Sequence, residues 1–445
     1  MRVVLAGGGS AGHIEPALAL ADALREADSS IQVTCLGTQR GLETRLVPMR
    51  GYELALIPAV PLPRSVTPQL LTVPGRLAGA VHATGKILDR VGADVLVGFG
   101  GYVATPAYLA ARRHHVPIVV HEANPSPGIA NRLGARLTPH VFTGHPDTRL
   151  RNARYIGLPI RRQIAELDRF ALGDEARAFF GLRPDLPVLL VFGGSQGARS
   201  LNRAVAGAAG AIRSAGVQIL HITGPRNIEE SQETGGPLSS SPVPSNSVPY
   251  VAVPYVDQME LAYAAADFAL CRAGAMTCAE LTAVGLPAAY VPLPIGNGEQ
   301  RANALPIVQR GGGLLVEDAE LTPEWIRTTL LPVLTNIDQV AGMSEAAAAM
   351  GRGDADRELA RAVIEIVAAE QASRAAASDP ASAEEEDTGP AWRPQYRAPQ
   401  PPAPASPPQD EQPGSLFTPR TARHSAPGGA GGQSSAGGGR HRHAR

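Results

Sequence analysis

Twice in this chain a short apolar run ends in a cluster of glycines and gives way to a helical pattern. Arg2–Ala6 leads into Gly7-Gly8-Gly9-Ser10-Ala11-Gly12-His13, and Val188–Phe192 leads into Gly193-Gly194-Ser195-Gln196-Gly197-Ala198-Arg199. A strand that turns directly into a helix is the opening unit of a parallel α/β sheet, so two such openings predict two sheets. Ile31–Leu36, Asp94–Phe99 and Val116–His121 extend the first, and Val217–Ile222, Phe268–Cys271 and Ala288–Val291 the second. The 445 residues, 44% of them hydrophobic, suffice for two α/β domains with something left over. Proline interrupts the pattern at Gly157-Leu158-Pro159-Ile160-Arg161, which places the seam there. The expected division is 1–160, 161–352, a closing helix at 353–370 and a tail at 371–445.

The tail follows from composition. Between Gln371 and Arg445, Leu416 and Phe417 are the only residues drawn from Leu, Ile, Val and Phe, so no core can form there. Glu384-Glu385-Glu386-Asp387, a proline-rich run from Pro399 to Pro408 and a terminal Gly/His/Arg segment read as a disordered extension. It is either a plain solvated tail or a segment with a partner-binding or regulatory role. Just before it, Leu359, Ala362, Val363 and Ile366 share one helical face, which must pack on something.

Charge and cysteine usage exclude several classes. Forty basic against 41 acidic side chains leave a formal charge of −1, which argues against nucleic acid as a partner. Cys35, Cys271 and Cys278 form no CxxC pair, which speaks against disulfide frameworks and zinc sites and suits a reducing cytoplasm. No apolar run is long enough to span a bilayer or to serve as a signal-peptide core, so a membrane would be met from one side.

Gly7, Gly9 and Gly12 satisfy the GxGxxG spacing of dinucleotide sites, yet Leu36 is followed by Gly37-Thr38-Gln39 where a ribose-binding acid is needed. Arg40 keeps an NADP-dependent reductase open as a rival. A P-loop lacks its lysine, since Lys86 is the only one and lies in a helical stretch. A tight turn would need the same glycines for conformation alone. The functional reading rests on His13, an imidazole at the mouth of the sheet able to take a proton from a hydroxyl near neutral pH. His121-Glu122-Ala123-Asn124 ends another strand at the same carboxyl edge, either as site residues or as a hydrogen-bonded strand end.

In the second half the glycine turn with Ser195 suits phosphate. Glu280, one turn inside the helix that follows Cys271-Arg272-Ala273-Gly274, is placed to accept hydrogen bonds from neighbouring sugar hydroxyls, unless it is an ordinary helix glutamate. Together these imply a nucleotide sugar. Asp354-Ala355-Asp356 has the DxD spacing of metal-holding sites, but it opens a helix and reads as a cap, so no metal and no cofactor is expected.

Gly8-Gly9-Ser10-Ala11-Gly12-His13, Gly98-Phe99-Gly100-Gly101-Tyr102, His121-Glu122-Ala123-Asn124, Gly193-Gly194-Ser195-Gln196-Gly197-Ala198, Arg272-Ala273-Gly274-Ala275-Met276-Thr277 and Asn303-Ala304 occur in one order. From Met1 to about Ala369 the chain closely resembles the bacterial MurG family. The resemblance implies a GT-B glycosyltransferase, α/β, with two Rossmann-like domains facing a central cleft. It implies transfer of N-acetylglucosamine from UDP-N-acetylglucosamine to the C4 hydroxyl of undecaprenyl-diphospho-N-acetylmuramoyl-pentapeptide (lipid I), giving lipid II for peptidoglycan. The acceptor and the membrane would meet the first domain, and UDP-N-acetylglucosamine the second. The implied location is the cytoplasmic face of the cell membrane, with cell-wall synthesis and division proteins as further partners.

By position, Ser10, Ala11, Gly12 and Asn124 would touch the donor from the first domain. Arg161, Ser195, Val256, Ala275, Met276, Thr277, Cys278, Ala279, Glu280 and Gln300 would hold it from the second. His13 is the expected general base, with Glu122 either the alternative base or the group that orients it. Ser10-Ala11 replaces a commoner Thr-Gly, Ala123 a commoner Gln, and Glu299 stands where other members often carry a second Gln. Leu70, Leu71, Val73, Leu77 and Val81 with Arg64, Arg76 and Lys86 make a candidate membrane-facing surface, or an amphipathic helix packed on its own sheet. Beside the reductase, the rivals are a noncatalytic binding scaffold and a GT-B enzyme with another lipid acceptor.

Overall fold

The computed structural model describes residues 1–60, 72–194, 197–225, 227, 247–295 and 297–378. Ser195, Arg64, Leu70, Leu71 and the tail beyond Ser378 lie outside the described residues.

The first sheet has seven strands: β1 (Arg2–Gly7), β2 (Gln32–Gly37), β3 (Glu53–Leu56), β4 (Val95–Gly100), β5 (Ile118–Glu122), β6 (Val141–Thr143) and β7 (Ala153–Tyr155). Their order is β3-β2-β1-β4-β5-β6-β7, parallel throughout. Six further strands, β8 (Val188–Phe192), β9 (Gln218–Ile222), β10 (Tyr250–Val253), β11 (Phe268–Cys271), β12 (Ala288–Tyr290) and β13 (Gly313–Leu315), form a second parallel sheet. Its order, β10-β9-β8-β11-β12-β13, reverses direction of growth at the same place as the first. Open α/β sheets bind ligands outside the carboxyl ends of the strands at that reversal. Here it falls between β1 and β4 and between β8 and β11, where the glycine turns are.

The central strands are continuous apolar runs because both faces are covered. Side-chain alternation along β1 sends Val3 and Leu5 toward α1 (Ala11–Ala27) and Val4 and Ala6 toward the opposite layer, where α4 (Ala104–Arg113) contributes Tyr108. Helices α2 (Glu43–Met49), α3 (Val73–Val91) and α5 (Ile129–Leu137) also belong to this domain. On α3, Ala80, Thr84, Gly85 and Leu88 are buried, and Val81 and Ile87 pack against the sheet's core. Of the apolar residues proposed for a membrane, Val81 packs on that core and Val73 and Leu77 are half-buried, while Arg76 and Lys86 are exposed.

After β7, α6 (Arg162–Ala165) and α7 (Gly173–Phe179) join the core of the second sheet, around which also lie α8 (Arg199–Ser214), α9 (Met259–Ala265), α10 (Ala275–Ala283) and α11 (Glu299–Gln309). Two later helices, α12 (Ile337–Ala348) and α13 (Ala355–Ser378), end the described chain. Leu359, Val363 and Val367 of α13 join Ile14, Leu18 and Leu5 in one core. The helix thus returns to the first sheet, each buried aliphatic side chain contributing about 2 kcal/mol. It also runs on through residues 371–378, which composition had assigned to the tail. Asp356, read as a cap, lies inside the helix and pairs with a cation, Arg162 Nη2 standing 2.9 Å from its carboxylate.

Candidate active site

The first glycine turn is held by backbone packing. A Cβ on Gly101, whose φ is +80°, would stand 2.1 Å from the Gly8 carbonyl oxygen, so only glycine lets the β4 loop lie against the β1 loop. Ser10 is the N-cap of α1 in extended conformation and makes no side-chain cap bond. Its carbonyl accepts the His13 and Ile14 N–H groups, and its Oγ lies 2.9 Å from His13 Nδ1. Ser10 and Gly12 are exposed, and Ala11 and His13 half-buried. Burial pushes the His13 pKa below its ordinary 6.5, against opposing influences from the Glu299 carboxylate and the Gly8 backbone. The imidazole is therefore neutral, and able to accept a proton, at pH 7.

The His13 ring lies against Gly100: a Cβ there would meet the ring at 3.1 Å and Asn131 Nδ2 at 3.4 Å. Asn131 in turn donates to Glu122 Oε2 (2.9 Å) and to the His121 carbonyl (3.1 Å), and accepts from Tyr108 Oη (2.7 Å). Glu122 also accepts the N–H groups of Gly128 and Asn124, each at 3.0 Å. It is buried, and both carboxylate oxygens are engaged in holding the 123–128 loop. That geometry suits an orienting group and not a free base. Asn124 is half-buried on this loop, its carbonyl accepting from Thr148 Oγ1 at 3.0 Å.

Across the seam, α10 begins at Ala275 after Gly274, with no side-chain cap and no acid in its first turn. The amides of Ala275, Met276 and Thr277 therefore have no intrahelical acceptors, and they present the positive end of the helix dipole. Ala275, Met276, Thr277 and Ala279 are half-buried, while Cys278 and Glu280 are buried. Glu280 Oε2 accepts from Tyr263 Oη at 2.7 Å, and Arg161 Nη2 lies 3.7 Å from Glu280 Oε1. Burial pushes the Glu280 carboxyl above its ordinary value despite Arg161. Burial works against the Arg161 charge, but the Glu280 and Glu15 carboxylates outweigh it and hold that guanidinium above its ordinary value.

Arg272 draws neighbouring loops together. It meets Asp318 at 2.5 Å, Ser200 Oγ at 2.9 Å and the carbonyls of Val291 and Pro292 at 3.2 Å each. In the second glycine turn, a Cβ on Gly197 (φ +74°) would lie 2.1 Å from the Thr223 carbonyl oxygen. Gln300 Oε1 accepts the Leu293 N–H at 2.9 Å, and Val256 is half-buried on the core of the second sheet.

The two edges face one another. Helix α1 touches α10, Glu15 of α1 lies within electrostatic reach of Arg161 and Glu280, and the Arg45 guanidinium stands 5.7 Å from the Tyr255 ring centre. The structure thus brings His13, Glu122, Asn124 and Ser10–Gly12 to one wall, and Arg161, Glu280 and the first turn of α10 to the other. Among the described residues, no group of three or more His, Cys, Asp or Glu gathers as a metal cluster. A separate groove lined by Arg2, Arg25, Ser30, Thr34, Glu53 and Arg90 sits at the amino edge of the first sheet, the wrong end for this site.

Sequence reasoning gave no role to Glu43, Asn131, Tyr263 or Arg272. An acid in the first turn of α2, as Glu43 is, carries only the signal of a helix start. Asn131 and Tyr263 lie inside helical patterns, and their partners are remote in sequence.

Residues 3–143 match the Glycosyltransferase family 28 N-terminal domain, and residues 188–359 the C-terminal domain of the same family. A Thermobifida fusca protein named UDP-N-acetylglucosamine--N-acetylmuramyl-(pentapeptide) pyrophosphoryl-undecaprenol N-acetylglucosamine transferase is 65% identical over 373 residues, covering 83% of this chain and 96% of that one. A Streptomyces coelicolor protein of the same name is 62% identical over 369 residues, covering 83% and 99%. Acinetobacter baumannii MurG superposes with a TM-score of 0.65 at 26% identity, over 82% of this chain and 99% of that one. A Neisseria meningitidis UDP-GlcNAc 2-epimerase bound to UDP-GlcNAc shares the fold, with a TM-score of 0.58 at 13% identity over 82% and 100%. Since both domains match in chain order and the likeness to the Thermobifida fusca and Streptomyces coelicolor proteins spans nearly their whole length, this chain belongs to glycosyltransferase family 28 and, within it, to the MurG family.

Proposed function

We propose that this protein is a hexosyltransferase moving N-acetylglucosamine from UDP-N-acetylglucosamine to the C4 hydroxyl of lipid I, with inversion at the anomeric carbon. The observation that carries the reading is the 65% identity to the Thermobifida fusca transferase over 96% of its length. The geometry supports it, because a neutral imidazole on one wall faces a helix terminus and an arginine on the other.

In this reading the acceptor lies along the first domain. Its hydroxyl oxygen forms the new bond to the anomeric carbon as the bond from that carbon to the UDP oxygen breaks, and His13 takes the hydroxyl proton. Negative charge grows on the departing diphosphate, where the amides of Ala275–Thr277 and Arg161 stabilise it. Glu280 accepts from sugar or ribose hydroxyls while anchored by Tyr263, and Val256, Ser195 and Gln300 complete the donor site. Glu122 holds the 123–128 loop and, through Asn131, the surroundings of His13. Ser10 orients the ring.

A reductase reading is disfavoured by the floor of the first turn. Glu43 is fully buried and its Oε2 accepts the Gly9 N–H at 3.1 Å, so that donor is already taken and an acceptor sits where a dinucleotide diphosphate would need donors. Because the acceptor is lipid-linked, the protein works as a peripheral enzyme at the cytoplasmic membrane face. Among the described residues no helix is long and apolar enough to cross a membrane. Incubation of the purified protein with labelled UDP-N-acetylglucosamine and a short-chain lipid I analogue tests the reading. A β-linked disaccharide product supports it, and UDP-N-acetylglucosamine left unconsumed beside an intact acceptor overturns it.

A further inference from the structure

We propose that Glu43 is the positioning residue of the His13 turn: its carboxylate, sealed beneath the glycine bend, holds the Gly9 N–H and thereby fixes where α1 begins and where His13 stands. The inference rests on the transferase reading above and adds a residue to it.

Glu43 opens α2, where a carboxylate ordinarily stays in water near the helix dipole. Instead its side chain is fully buried and turned toward two other loops. Oε1 accepts the Thr38 N–H at 2.8 Å and the Thr38 hydroxyl at 3.0 Å, while Oε2 accepts the Gly9 N–H at 3.1 Å. One carboxylate thus joins the loop after β2 to the loop after β1. The bend it holds has no side chains of its own for anchorage between Gly7 and Gly9. A Cβ on Gly8 would meet Val103 at 3.2 Å and Glu43 Oε1 at 3.3 Å, and one on Gly9 would meet the Tyr102 ring at 3.1 Å. Gly9 also has a φ of +89°, a conformation that needs an external hold because glycine has no intrinsic preference for it.

What Gly9 does is passed on directly. The next residue, Ser10, supplies both the carbonyl that starts α1 and the hydroxyl beside His13 Nδ1. A shift of the bend therefore moves the base relative to the acceptor hydroxyl, whereas Arg161, Glu280 and the amides of Ala275–Thr277, which in this reading carry most of the hold on the donor, belong to the other domain. Loss of Glu43 should appear in turnover and spare donor binding.

Glu43→Gln is the informative substitution. Its amide oxygen still accepts from Thr38, but the NH2 group then faces the Gly9 N–H, donor against donor, so the shape is kept and one bond is broken. The assay uses the purified protein with UDP-N-acetylglucosamine and a short-chain lipid I analogue, and calorimetry with UDP counts competent sites. The expected result is kcat per UDP-binding site lower by about 10-fold or more, with donor KM within about twofold of the parent. A purely structural role would lower the number of UDP-binding sites and leave kcat per site at the parent value; that result overturns the proposal. Should Glu43→Gln not fold, Glu43→Asp, too short to reach both loops, must still lower kcat per site by about threefold or more, and parent-like turnover there overturns the proposal equally. A parent protein that makes no product refutes the transferase reading itself, whereas a parent and variants that turn over alike refute only the role of Glu43.

Discussion

Arg161, at the seam between the two sheets, sets its Nη2 3.7 Å from Oε1 of Glu280 on helix α10 of the second domain. Tyr263 Oη anchors the pair at 2.7 Å from Glu280 Oε2, and among the described residues Arg161 Nε is buried without a hydrogen-bond partner. In the proposed reading this buried cation, with an unused donor beside a helix terminus, receives the diphosphate of the donor.

Glu280→Gln keeps the Tyr263 contact and removes the charge. Hydrogen bonds to charged groups contribute about 1.5–3 kcal/mol, so KM for UDP-N-acetylglucosamine should rise by about 10-fold or more in steady-state assays, with folding retained. Unchanged donor KM would remove Glu280 from the donor site.

The seam carries a second prediction. Arg162 meets Glu26 at 2.9 Å, Glu166 at 3.0 Å and Asp356 at 2.9 Å, so it links α1, its own helix and the start of α13. The Asp356 side chain is only 3% exposed, and burial pushes its carboxyl above the ordinary value. Arg162→Ala strands that carboxylate and should cost about 2 kcal/mol by urea denaturation at pH 7. The deficit should shrink as pH falls and the stranded group takes up a proton. A deficit independent of pH would show that Asp356 is not the cause.

Two core histidines set the acid limit of the fold. Burial pushes His121 and His221 from the ordinary 6.5 down to about 4. The unfolded chain gains these protons as pH drops below 6.5, whereas the folded chain resists until about 4, so stability is highest above 6.5 and declines through that window. Each contributes a slope of up to about 1.4 kcal/mol per pH unit. His221→Asn should therefore flatten the dependence of unfolding free energy on pH between 6.5 and 4 relative to the parent. An unaltered slope would mean that His221 is already protonated in the fold.

What could be read without coordinates follows burial. Strands β1, β4, β5, β8, β9 and β11 are buried along nearly their whole length, which writes them as apolar runs. The edge strand β7 is exposed at all three residues and is held by its ladder to β6, so its side chains carry no hydrophobic signal. The end of α13 was misread for a related reason: Ala-rich residues after Glu370 cannot build a core, yet alanine propagates a helix already docked through Leu359 and Val363. At the site, His13 and Glu280 stand out because each sits beside a glycine turn. Glu43 and Asn131 do not, because their meaning lies in loops that only the folded sheet brings within hydrogen-bonding distance.

The proposed role of His13 as the group that removes the acceptor proton is tested most directly by turnover of His13→Ala with UDP-N-acetylglucosamine and a short-chain lipid I analogue. Loss of kcat by about 100-fold or more, with UDP still bound at the parent affinity, is the predicted result. Turnover within about threefold of the parent would contradict it, since general base catalysis is worth far more than that.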